Sequence, residues 1–302
     1  MPLGELAALG TALCWAFTAV CFAAAGARIG SLSVNLIRLV IALAMLTAFE
    51  AVVRGTALPL DASAHAWTWL SISGIVGFCI GDLCLFRALV VIGPRLSSLL
   101  MSLAPLLTAV FGWLLLGETL SATEALGMTL TIAGLGWAVL DRTPPAANHQ
   151  GARAPKGRAL AVGVALGIGG AAGQAGGLVL SKYGMGQYDP FAATQIRVIA
   201  GIAGFSLLFV VTGWWPRTIR ALREGRAMLY TSAGAFFGPF VGVSLSLLAV
   251  QRTSTGVAAA LMATSPILVI PIVMFVRRER VGLGGVLGAI VTVAGVILLV
   301  AG

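Results

Sequence analysis

Residues 74 to 140 of this 302-residue chain reappear 161 positions further along. Gly77 falls on Gly238, Gly81 on Gly242, Ala88 on Ala249, Leu100-Met101 on Leu261-Met262, Pro105 on Pro266, Glu118 on Glu279, Gly127 on Gly288, and Thr131-Ile-Ala133-Gly134 on Thr292-Val-Ala294-Gly295. A displacement of 159 does the same for the start, bringing Gly4 onto Gly163, Gly10 onto Gly169, Ala16 onto Ala175 and Ile37-Arg38 onto Ile196-Arg197. Two copies with the same landmarks at the same spacing must fold into the same unit. Nearly everything between the landmarks is apolar, so the unit is a membrane bundle, and the space between the copies is where a site is expected.

With 59% hydrophobic and 10% charged residues, the chain is far from the composition of soluble domains. Ten apolar stretches of membrane-crossing length can be marked, at 3–27, 32–53, 67–92, 96–116, 122–140, 158–181, 189–213, 228–250, 255–276 and 281–301. No alternation of the barrel kind is present, so helices are the remaining way to satisfy the backbone in lipid. The predicted fold is therefore an all-α membrane protein, with ten transmembrane helices in two five-helix repeats around a central cavity. The first repeat covers 1–140, a polar, proline-bearing linker 141–157, and the second repeat 158–302. An odd number of crossings per repeat makes the second copy enter from the opposite face, which inverts its topology and suits alternating access.

A net charge of +9 does not mean nucleic acid here, because the basic residues sit in short connections between spans. Arg28, Arg95, Arg142, Arg153, Lys156, Arg158, Arg217, Arg220, Arg223, Arg226, Arg277, Arg278 and Arg280 fall on one side, against Arg54, Lys182 and Arg252 on the other. By the positive-inside rule the first group is cytoplasmic and both termini are outside. Cys14, Cys21, Cys79 and Cys84 all fall within spans, so no disulfide framework is implied. The first span lacks a basic leading segment and matches the sixth by repeat, so it is expected to be retained rather than cleaved.

Ionisable residues inside a membrane are costly and tend to face a cavity or a partner. Arg38 and Arg197 occupy equivalent places early in spans two and seven, where they read as contacts for an anionic group or as snorkelling arginines that orient the repeat. Asp82 and Arg87 in span three have no counterpart, since Val243 and Leu248 stand at the matching positions. Their spacing disfavours a direct pair, so each is expected to find its own interhelical partner. Asp82 is the candidate for a proton-responsive or amine-binding group, with a structural ion pair as the other reading. Trp15, Asn35, Phe78, Met101, Gln174, Gln195 and Phe237 complete the candidate cavity set, and Trp15 is matched by Gln174, as a site for an asymmetric solute requires. Pro105 and Pro266, repeat-related within the fourth spans, are candidate helix hinges or simple kinks. Gly169, Gly173 and Gly177 form one face of span six and read as close helix packing.

Enzyme signatures are missing. His65 and His149 lie in loops, no HExxH or GxSxG occurs, and neither a metal nor another cofactor is expected. The phrases Ser102-Leu-Ala-Pro105-Leu-Leu, Trp113-Leu-Leu-Leu-Gly117-Glu118 and Gly127-Met-Thr-Leu-Thr-Ile-Ala-Gly134, with the two paired arginines, resemble the EamA family of the drug/metabolite transporter superfamily. Within that family the chain resembles the YddG-like amino acid exporters. The resemblance implies a bacterial inner-membrane exporter of small metabolites, amino acids foremost, with a basket of helices lining its cavity. It also implies fifth spans lying outside, where they are available for packing or a homodimer contact. Alternatives are an importer or exchanger of phosphorylated or drug-like solutes, and a membrane scaffold that transports nothing. In the second half Arg277-Arg278-Glu279-Arg280 replaces the Leu-Gly-Glu phrase, and Glu118 is read as a solvated helix-end charge.

Overall fold

Helical hydrogen bonding is the only regular structure among the described residues, which in this computed structural model are 3–141, 157–265, 267–268 and 283–301. Pro266, Pro271, Glu279 with its flanking arginines, His149 and all but the ends of the 141–157 linker lie outside them. The first half comprises α1 (Leu3–Ile29), α2 (Ser31–Val53), α3 (Ala64–Gly74), α4 (Asp82–Met101), α5 (Ala104–Leu116) and α6 (Ala122–Asp141). The second comprises α7 (Arg158–Met185), α8 (Pro190–Thr212), α9 (Trp215–Ala221), α10 (Gly225–Ala235), α11 (Val243–Arg252), α12 (Thr255–Met262) and α13 (Leu283–Ala301). Local chemistry sets several boundaries. Asp189 caps α8 by accepting from the amides of Phe191 and Ala192, and Pro190 follows at the first turn, where its missing N–H costs nothing. Ser121 and Glu124 form a reciprocal capping box at the start of α6.

Among the described residues, seven helical segments are long and apolar enough to cross a membrane, and they fall where spans one to four and six to eight were expected. Helices α6 and α13 occupy the places of the fifth and tenth spans, and α12 begins the ninth. Two features were not foreseen. Spans three and eight each contain a π-helical turn, at Ile75–Gly81 and Phe236–Gly242, in repeat-related positions. The fourth span is broken at Ser102–Leu103, immediately before Pro105, and the break recurs at Ala263–Thr264. Pro105 thus opens α5 instead of kinking a continuous helix.

The packing of the two halves is interchangeable. Helix α1 lies along the α10–α11 segment as α7 lies along the α3–α4 segment, while α2 pairs with α8, α5 with α12 and α6 with α13. Along α7, Gly163 meets Ile92 near one end, and Lys182 donates to the Thr253 carbonyl at 2.7 Å near the other. Ile92 and Thr253 are repeat-equivalent residues, one at the end of span three within α4 and the other just past the end of span eight. At 1.5 Å per residue the two contacts stand about 28 Å apart, at opposite ends of one helix.

Glycine is what lets these helices close. A side chain on Gly173 would sit 2.5 Å from the Gly81 Cα, and one on Gly177 would sit 3.0 Å from the Gly77 Cα, so backbone meets backbone between span six and span three. In the other half the matching glycines, Gly238 and Gly242, face side chains of α1, Thr18 and Trp15. Gly173→Val is expected to cost about 1–3 kcal/mol, since neither backbone can yield. A lowered unfolding temperature in detergent would show it, and an unchanged one would mean the helices can separate freely.

Candidate functional site

Midway along the bundle the halves enclose a chamber of about 480 Å³, within the range of small-molecule sites. It brings together Trp15, Arg38, Phe78, Asp82, Met101, Gln174 and Arg197 from the residues expected on sequence grounds, together with Pro105. Asn35, Arg87, Gln195 and Phe237 do not line it. Asn35 is buried within α2, and Arg87 is exposed on the outer face of α4, so neither reaches the chamber. Gln195 is fully buried and donates to Thr47 Oγ1 and the Ala57 carbonyl, both at 2.9 Å, which ties α8 to the end of α2 and the loop after it. Phe237 stacks on Phe17 at 5.4 Å.

The charges are arranged unequally. Asp82, at the start of α4, pairs with Arg38 of α2 and accepts a second hydrogen bond from Gln174 Nε2 of α7 at 3.0 Å. Both oxygens of the carboxylate are therefore held, one from each half. Arg38 also lies over the Phe22 ring at 5.2 Å. Phe22 went unnoticed in the sequence, where one more aromatic in an apolar span carries no signal.

Arg197 is only 5% exposed, yet no ion pair reaches it among the described residues. Its guanidinium lies over the face of Phe78 at 4.9 Å, and its Nε has no hydrogen-bond partner. The repeat explains the difference: Arg38 pairs directly with Asp82, and the residue equivalent to Asp82 is Val243, which also lines the chamber. A cation–π contact offsets part of the cost of burying a guanidinium and leaves room for an anion. Two guanidiniums and one carboxylate give the chamber an excess of one positive charge.

Both halves of the chain, residues 2–140 and 161–301, match the model of the EamA-like transporter family. The chain belongs to that family. It is accordingly a multi-pass membrane protein of a family that moves small solutes and is not composed of enzymes. A solved structure described only as "Crystal structure of protein" superposes with a TM-score of 0.75 at 19% identity, covering 98% of this chain and 95% of that one. At that identity the likeness concerns the fold alone. No curated protein matches the chain.

Proposed function

We propose that this EamA-like transporter exports amino acids, aromatic ones included, across a bacterial inner membrane, by exposing its central chamber alternately to the two sides. One observation carries the proposal: a single chamber holds a buried guanidinium that no salt bridge reaches among the described residues, Arg197, and a carboxylate oriented from both halves, Asp82. An α-amino acid is complementary to that pair, its carboxylate to Arg197 and its ammonium to Asp82. Trp15 and Phe78 supply flat apolar walls for an aromatic side chain. A phosphate dianion is a poorer match, because Asp82 already neutralises one of the two guanidiniums.

Ten crossings in two inverted repeats underlie this mechanism, supported by the interchangeable packing and by the repeat-equivalent residues Ile92 and Thr253 at opposite ends of α7. Exchange of the two repeats' conformations then carries the chamber from one face to the other. The excess of basic residues at the end that carries Arg28 supports a cytoplasmic position for that end.

Purified protein in liposomes should move a panel of labelled amino acids saturably, with the aromatic members competing best. Saturable movement of phosphorylated solutes in their place would transfer the assignment to an exchanger. No movement of any solute would leave a scaffold.

A further inference from the structure

One end of the bundle is fastened by a polar network that joins the halves. Glu118, just past the end of α5, accepts from the Thr255 amide at 2.7 Å and the Thr255 hydroxyl at 2.6 Å, and pairs with Lys182 Nζ at 2.6 Å. Lys182 also donates to the Thr253 carbonyl, and Thr253 donates to Glu5 at 3.5 Å. Beside it, Gln251 donates to the carbonyls of Gly186 and Tyr188, while Tyr188 and Arg54 both hold Asp61. Glu118 is therefore a half-buried junction between α5, α7 and α12, not the solvated charge expected from sequence. Burial pushes its carboxyl upward, but Lys182 and the Thr255 donors outweigh that and hold it below the usual range.

The opposite end has no such fastening among the described residues; the contacts there are an exposed Arg28–Glu224 pair at 3.4 Å and a Ser33–Thr218 contact at 3.3 Å. Repeat-equivalent positions explain the difference. Ala23 stands where Lys182 would be matched, and Pro94 where Thr255 would be, so the ammonium, the amide donor and the hydroxyl are all missing from that sequence. Gly112 completes the device, since its bare Cα leaves the space that Thr255 Oγ1 and the Glu118 carboxylate occupy.

We propose that Glu118, with Lys182 and Thr255, is the latch of a gate at the Tyr188 end, and that the chamber reaches that side of the membrane only when Glu118 is released. The proposal rests on the transport reading, but its test needs no substrate. Ala19 lines the chamber and is exposed, so Ala19→Cys reports access, in a background with Cys14, Cys21, Cys79 and Cys84 changed to alanine. Membrane vesicles of both polarities are treated with an impermeant maleimide, and the exposed Gln187→Cys identifies the Tyr188 side.

With the latch intact, labelling at residue 19 should come from the Arg28 side. Glu118→Gln and Lys182→Met should each raise labelling from the Tyr188 side about tenfold, the scale of one charge-assisted hydrogen bond. Arg28→Gln should not. Equal labelling from both sides with the latch intact, or no rise in either latch variant, overturns the gate. Should Glu118→Gln fail to fold, Lys182→Met carries the same outcomes. A latch result in either direction leaves the amino acid assignment to the flux experiment.

Discussion

Arg197→Gln is expected to weaken solute binding by roughly 10- to 100-fold, the worth of a charge-assisted hydrogen bond in a desolvated site, while leaving the fold intact. The fold should survive because this guanidinium has no ion pair to lose among the described residues. Arg197→Lys should fall between, keeping the charge and losing the planar fork that grips a carboxylate and stacks on Phe78. Val243→Asp offers an independent check, because it supplies the counter-ion the repeat omits and should occupy Arg197 from within. The KM of saturable flux is the measurement, and an unchanged KM in both Arg197→Gln and Val243→Asp would remove the carboxylate contact.

Asp82→Asn should do the opposite kind of damage. Arg38, partly buried, would be left without its partner, and breaking a largely desolvated pair from one side costs up to about 3–5 kcal/mol. Unfolding temperature and flux should therefore fall together. The double variant Arg38→Gln/Asp82→Asn should recover much of the stability but not the flux, which separates the structural role of the pair from its transport role. As a proton-responsive group, Asp82 also predicts that flux changes with pH in the unmodified protein and loses that dependence in the double variant. A double variant with unaltered flux and pH profile would reduce Asp82 to a structural ion pair.

What was legible in the sequence is what repetition and polarity write directly. The duplicated glycines and paired arginines located the helices and the space between the halves, because a residue that must accept a close backbone, or a charge that must avoid lipid, has few alternatives. The same logic brought Arg38, Asp82 and Gln174 into one chamber. Gln195 defeated it, since a buried amide that bonds a threonine and a loop carbonyl reads no differently in sequence from one that awaits a solute. Arg87 shows the converse, a charge within an apolar run that faces outward. The π-helical turns left no readable trace, because an extra residue per turn is decided by packing rather than by composition. Glu118 was misjudged because its partners come from the other half, more than sixty residues away in the chain.

Duplication with unequal partners also has an energetic meaning. Were the copies identical, swapping their conformations would return the same molecule, and the two facings of the carrier would be populated equally without solute. Ala23 and Pro94 stand at the positions equivalent to Lys182 and Thr255, so one facing carries charge-assisted bonds whose donors have no equivalents at the matching positions of its mirror image. The empty carrier should accordingly rest with its mouth toward the Arg28 side, poised to load there, and a solute must supply enough binding energy to turn it around.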